Sequence, residues 1–211
     1  MSSPKLILVD PIADLCRAWE KQFEDLPDVS IVAGRFEELP GFDCIVSPAN
    51  SFGLMDGGAD AAISRFYGYD LQETVQCRIL DEYLGEQPVG TSMIVETGLE
   101  AHPYLAHTPT MRVPMKIART DNVYRAMCAM LIAVRRHNRT ADRRIGVVAC
   151  PGLGTRTGQV PLGEAAYQMA IAYRHFLYPP KRLDWEFAEQ RQKKVHFGGD
   201  VGFDIPRSAE G

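Results

Sequence analysis

The sequence predicts an α/β fold in which helices pack around a mainly parallel central sheet. Short, wholly apolar runs alternate with amphipathic segments along the chain. Strands that are apolar at every position are typical of parallel sheets, because helices cover both faces of such a sheet. The chain has 211 residues, of which 45% are hydrophobic, and this is enough for one domain with a substantial core.

The first predicted unit is a strand that leads into a helix. The strand is LILV (6–9), and we expect Asp10 and Pro11 to start the helix. Four apolar residues share one face of this helix: Ile12, Leu15, Trp19 and Phe23. The other predicted strands span 29–34, 43–47, 91–97, 104–108 and 144–149, and the other helices span 59–66, 71–84, 121–136 and about 161–177. The strands over 91–97 and 104–108 are expected to be neighbours, joined by a turn.

The alternation of strands and helices ends near residue 178. We therefore assign residues 1–178 to one domain and residues 179–211 to a C-terminal extension. The extension is expected to contain a short helix, roughly over 183–194, and then a polar tail.

Composition excludes several classes of protein. A net charge of −4 makes nucleic-acid binding unfavourable, because such binding relies on clustered cations. The five cysteines include no CxxC pair, which argues against a structural metal site or a disulfide framework and for a cytoplasmic location. The sequence shows no membrane-length apolar run and no signal-peptide core, and it predicts no metal and no cofactor.

One glycine-bearing loop, SPANSFGLMDGGADAAI (47–63), follows the predicted strand DCIV. Asn50 could offer donors and an acceptor to a sugar diol. Gly57 and Gly58 allow a ligand to approach the backbone closely, and Ala59 begins a helix whose free N–H groups attract an anion.

A second such loop, CPGLGTRTG (150–158), can be interpreted in two ways. The spacing of Cys150 and Arg156 matches a cysteine phosphatase loop, with a thiolate nucleophile in a phosphate cradle. The alternative is a passive cradle. Cys150 continues an apolar strand, and Pro161 is the natural start of the next helix, so the passive cradle is favoured. Arg156 is then either a phosphate clamp or a solvent-facing charge.

Two cradles at neighbouring strand ends predict a ligand with two phosphates. SPANSFGLMDGGADAAISRFYG resembles the macro-domain motif Asn-Ala-Ala-Asn followed by Gly-Gly-Gly-Val-Asp and a helix. CPGLGTRTGQVP resembles that family's second phosphate loop, and the resemblance covers about residues 28–178. It implies a three-layer α/β/α sandwich that binds ADP-ribose. Many members hydrolyse ADP-ribose from protein carboxylates or remove a phosphate or acetyl group from its 1″ position.

The resemblance also implies roles for individual residues. Asn50 matches the asparagine that holds the distal ribose, and Asp60 matches the aspartate that positions or activates water in hydrolysing members. Gly57 and Gly58 lie beside the pyrophosphate, where Asp56 and Ala59 are further candidate contacts. The second loop supplies the remaining candidates: Gly152, Leu153, Gly154, Thr155, Arg156, Thr157 and Gly158.

The chain departs from the family pattern at several positions. Ser47 and Pro48 replace the usual Asn-Ala, and Ser64 stands where one hydrolytic subgroup has a histidine. Arg35 occupies the place of an aspartate that binds the adenine amino group, so stacking on Phe36 is one way to hold the base. The leading hypothesis is a hydrolase acting on ADP-ribose or an ADP-ribosylated macromolecule. A non-catalytic reader, favoured by Ser64, is the alternative, and a cysteine phosphatase is a minor one.

Overall fold

One mixed sheet of six strands organises residues 3–195, the part of the chain that the computed structural model describes. The strands are β1 (Lys5–Asp10), β2 (Val29–Ala33), β3 (Cys44–Ser47), β4 (Met93–Glu96), β5 (Tyr104–His107) and β6 (Val147–Cys150). Their spatial order is β2-β1-β6-β3-β5-β4. Every neighbouring pair is parallel except β4 with β5, which pair antiparallel as the short turn between them requires.

Helices cover both faces of this sheet. They are α1 (Ala13–Phe23), α2 (Gly58–Tyr67), α3 (Asp70–Tyr83), α4 (Asn122–Thr140), α5 (Leu162–Leu177) and α6 (Trp185–Val195). One core cluster joins α1, α4 and α5 to the sheet, and a second cluster joins α2 and α3 to its other face. The predicted three-layer α/β/α sandwich with a mainly parallel sheet is therefore confirmed.

Strand β1 shows why the core strands are apolar throughout. Its side chains alternate between the two clusters: Leu6 and Leu8 face α1 and α5, whereas Ile7 and Val9 face the α2 side. All four side chains are buried. Because both faces of the strand are covered, the sequence has no polar alternation here.

The segment between α4 and β6 differs from the sequence prediction. The helix continues to Thr140 instead of ending at Arg136, and β6 begins at Val147 instead of Arg144. Asn138 explains the difference, because its side chain donates to the Ile145 carbonyl at 2.8 Å and accepts from the Ile145 amide at 2.7 Å. These two bonds make the reversal after the helix.

Helix α6 lies in the segment assigned to the C-terminal extension, and the polar tail expected beyond it lies outside the described residues. The helix lies close to α5, where Tyr167 donates to the Lys194 carbonyl at 3.3 Å. Val195, at its end, is buried. None of the helices within residues 3–195 has the length and apolar character needed to cross a bilayer.

Asp43 fixes the alignment of β3 with β6 at the amino end of the sheet. Its Oδ2 accepts hydrogen bonds from the Gly146 and Val147 amides at 2.7 and 2.8 Å. The Asp43→Ala substitution leaves both amides without this acceptor, so we expect the free energy of unfolding to fall by about 1–3 kcal/mol. Urea denaturation measures this loss.

The matched control is Asp142→Ala, which removes an exposed carboxylate near the same end of the sheet. This change should alter stability by less than about 0.5 kcal/mol. Equal losses in the two variants would contradict the role given to Asp43.

Candidate ligand-binding cleft

A cleft opens at the carboxyl edge of the sheet, between the loops that follow β3 and β6. It encloses about 700 Å³ of empty space, part of it open to solvent. Parallel neighbours end at the same edge, so the order β1-β6-β3 brings these loops together. Twelve predicted site residues line the cleft: Asn50, Asp56, Gly57, Gly58, Ala59, Asp60, Gly152, Gly154, Thr155, Arg156, Thr157 and Gly158.

The amino end of α2 forms one wall of the cleft. Gly57 is the residue before the helix, and no side chain caps it. The first amide with a helical acceptor is that of Ala61, which donates to the Gly57 carbonyl. Within residues 3–195, the amides of Gly58, Ala59 and Asp60 have no acceptor. Free amides and the helix dipole together favour an anion at this wall.

The loop after β6 forms the opposite wall. Across the described part of the chain, the amides of residues 153–158 donate to no protein acceptor. Gly154 has φ +69°, and a Cβ at Gly158 would lie 2.5 Å from the Gly154 carbonyl oxygen. Only glycine fits at both positions, and this lets the loop curl tightly along the wall of the cleft.

Two other predicted site residues contribute less to the surface of the cleft. Leu153 is fully buried in the core and does not line the cleft, so it anchors the loop and does not contact a ligand directly. Phe36 is 8% exposed and packs edge-to-face against Phe42 and Phe66. Little of the Phe36 ring is therefore free to stack on a base.

Asn50 uses its side chain to shape its own loop. Its Oδ1 accepts from the amides of Phe52 and Leu54 at 3.0 and 3.3 Å, and its Nδ2 donates to the Leu54 carbonyl at 2.7 Å. The second Nδ2 hydrogen remains for a ligand. Asn50 thus positions the rim of the cleft, a structural task that its place in the motif does not reveal.

Asp60 lies in the first turn of α2, where its carboxyl group is buried. Ser47 donates a hydrogen bond to its Oδ1 at 2.6 Å. Burial raises the pKa of Asp60 to about 6, the Ser47 hydrogen bond opposes that rise, and the negative charge of Asp56 adds to it. A carboxyl group with a pKa near neutrality in a cleft is suited to exchanging a proton.

Neither Ser64 nor Cys150 lines the cleft. Ser64 is buried and donates to the Met55 carbonyl at 3.1 Å. Cys150 is fully buried in the α1/α4/α5 core, and burial raises the pKa of its thiol. A phosphatase nucleophile needs the opposite shift and an open approach. Within the described residues, no group of His, Cys, Asp and Glu side chains is arranged to hold a metal.

A second chamber, with about 670 Å³ of empty space that is partly open to solvent, adjoins the cleft on the β2 side. Both are lined by Gly58, Ala59, Pro151, Arg156 and Asp10. The sequence places Asp10 only at the start of α1, yet in the structure this residue lies at the junction of the two spaces. Its position at the carboxyl end of an apolar strand is the signal that could have identified it.

Asp10 is 3% exposed and bridges three segments. Its Oδ1 accepts from the Ile12 amide at 3.0 Å, and its Oδ2 accepts from the Gly152 amide at 3.3 Å. The Arg156 guanidinium lies 3.8 Å from Oδ1. Asp10 therefore holds the second loop against α1 and draws Arg156 toward the junction.

The fold is a three-layer α/β domain with two glycine-bearing loops at one cleft, and comparison with known proteins identifies its family. The Macro domain family profile matches residues 46–169. An uncharacterised protein of Aquifex aeolicus is 33% identical over 159 residues, which are 74% of this chain and 86% of that protein. The chain belongs to the Macro domain family, a family that binds ADP-ribose.

Solved structures show the same fold at low identity. The macrodomain of Mycobacterium tuberculosis DarG gives a TM-score of 0.57 at 18% identity, covering 68% of this chain and 88% of that one. A mutant of the Oceanobacillus iheyensis macrodomain with ADPR gives 0.58 at 18% identity, covering 84% of this chain and 79% of that one. At this level of identity, the likeness concerns the fold alone.

The raised pKa of Asp60 has a consequence for stability. The carboxyl group titrates near pH 4 when unfolded and at about 6 when folded, so stability is lost as the pH rises through this range. Asp60→Asn removes the buried charge and keeps an acceptor for Ser47. We expect this variant to be more stable than the wild type at pH 7, by about 1–3 kcal/mol, and to gain little at pH 4. Urea denaturation across this pH range measures the difference.

Asp142→Asn is the control, because Asp142 is exposed and is not among the groups that shift the pKa of Asp60. Its stability should change by no more than about 0.5 kcal/mol at either pH. A pH-independent difference between Asp60→Asn and the wild type would show that the buried charge is not its cause.

Proposed function

We propose that this protein binds ADP-ribose or a close derivative and hydrolyses a group from the 1″ position of the distal ribose. The observation that carries the binding is the convergence of two sets of unpartnered backbone amides, at α2 and at residues 154–158, on one cleft. Such amides bind phosphate oxygens at two walls, as a pyrophosphate requires.

The positions of Asp60 and Asn50 support one direction for the ligand. Asp60 and Asn50 line the cleft but not the second chamber, which lies beyond Gly58 and Arg156. With the pyrophosphate between the loops, the distal ribose lies toward Asn50, whose free Nδ2 hydrogen binds a ribose hydroxyl. The adenosine end then extends toward Phe36.

Asp60 is the proposed catalytic residue. In its ionised form it accepts a proton from a bound water as the water oxygen forms a bond to the 1″ carbon. The bond from that carbon to the leaving carboxylate or phosphate breaks, and its electron pair goes to the leaving group. The raised pKa of Asp60 makes its carboxylate a better base than a solvated aspartate.

A reader without catalysis is the second candidate, and the environment of Ser64 favours it. Ser64 is buried and bonded to the Met55 carbonyl, and it offers no imidazole to the cleft. Proton transfer would therefore rest on Asp60 alone. The two candidates share the same ligand and differ in turnover.

Calorimetry and turnover assays separate the candidates. We expect the wild type to bind ADP-ribose and to consume ADP-ribose-1″-phosphate or an ADP-ribosylated carboxylate. Asp60→Asn should retain binding and lose turnover by about 100-fold or more, since a positioned base contributes about that factor. Turnover should fall because the variant lacks the group that accepts the proton, while its fold and its binding loops stay intact.

Cys150→Ser is the control, and its turnover should stay within a few-fold of wild type because Cys150 does not line the cleft. Binding without turnover in the wild type would establish the reader. Absence of ADP-ribose binding would refute both candidates, and loss of activity in Cys150→Ser would revive the phosphatase.

The pH dependence of turnover reports on Ser47. We expect kcat to rise with pH through about 6 as Asp60 ionises. Because the Ser47 hydrogen bond lowers the pKa of Asp60, Ser47→Ala should move this acid limb upward by roughly 0.5–1 on the pH scale.

Ser64→Ala is the matched control, since it removes another buried hydroxyl of the same region that does not contact Asp60. Its acid limb should coincide with that of the wild type. If the acid limb of the kcat profile shifts equally in both variants, or in neither, then Ser47 does not control the ionisation of Asp60.

A further inference from the structure

Three arginines from separate segments line the second chamber. Arg35 follows β2, Arg65 lies on α2, and Arg156 belongs to the loop after β6. All three are exposed. The chain as a whole has a net charge of −4. Three arginines around one chamber therefore form a local concentration of positive charge on an acidic protein.

The carboxylates in this chamber do not neutralise the three cations. Asp10 and Glu37 are the acidic residues among the described lining. Asp10 is buried and already accepts two backbone amides, and its contact with Arg156 is long, at 3.8 Å. Within residues 3–195, Arg35 and Arg65 form no ion pair. Two guanidinium groups therefore remain open to an anion.

The chamber lies where the adenosine end of the ligand extends in the proposed binding mode. It shares Gly58, Ala59 and Arg156 with the phosphate cradle and lies on the side away from Asn50. A neutral adenosine gives the guanidinium groups no charge to pair with. A phosphate on its ribose does, because a guanidinium forms two parallel hydrogen bonds to phosphate oxygens.

We propose that the chamber binds a phosphate group carried on the adenosine ribose, so that the preferred ligand class is a phosphorylated ADP-ribose. Arg35 and Arg65 are the specificity-determining residues, and Arg156 links this phosphate to the pyrophosphate cradle. The same logic distinguishes dinucleotide sites, in which a carboxylate binds the ribose 2′-hydroxyl and an arginine accommodates a 2′-phosphate. The inference rests on the proposed function.

Calorimetry with two probes tests it: ADP-ribose, and ADP-ribose with a phosphate on the adenosine 2′-hydroxyl. We expect the wild type to bind the phosphorylated probe about tenfold more tightly, the effect of one or two charge-assisted hydrogen bonds. This preference should weaken as the salt concentration rises. Arg35→Ala and Arg65→Ala should each reduce it, and the double variant should abolish it while keeping its affinity for ADP-ribose.

Arg144→Ala is the control, because Arg144 is equally exposed but lies outside the lining of both spaces. It should leave both affinities unchanged. Equal affinity of the wild type for the two probes would overturn the inference and leave the proposed function intact. A preference that survives in the double variant would overturn it as well. Failure to bind either probe would instead refute the proposed function.

Discussion

The cleft depends on backbone amides for which the fold provides no protein acceptor. Among the described residues, these amides lie at the start of α2 and across residues 154–158. Amides of this kind would be costly in a dry interior, but at an open cleft they bind water or an anion. They face one another because β3 and β6 are parallel neighbours and end at the same edge. The central part of the sheet is thus the scaffold for the cleft in which we propose that the ligand's phosphates bind.

The loop after β6 combines a rigid attachment with an accessible backbone. Leu153 and Val160 are buried and fix the two ends of the loop in the core. Between them, Gly154 adopts a positive φ, and Gly158 approaches the Gly154 carbonyl more closely than any side chain allows. The amides are held in place before a ligand arrives, which reduces the entropy lost on binding. Cys150 contributes to this attachment as part of the core.

The buried carboxyl group of Asp60 lowers stability at neutral pH, a cost that its proposed catalytic role would explain. Burying its carboxyl group raises its pKa toward neutrality, and Ser47 supplies only one hydrogen bond against that burial. A core selected for stability alone would hold a neutral residue here. Perturbed carboxyl groups in clefts are typical of sites that transfer protons. The nearby charge of Asp56 strengthens the same effect.

The sequence by itself determined the fold class and the two loops that form the cleft, because apolar runs and glycine spacing are local properties of the chain. It also singled out Asp60 and the loop at 152–158. Only the tertiary structure decided which distant residues meet at the cleft. Asp10 joins two loops only because β1 lies beside β6, and Arg35 meets Arg65 only because β2 lies at the edge next to β1. Such neighbours are set by strand order and packing, which no short stretch of sequence records.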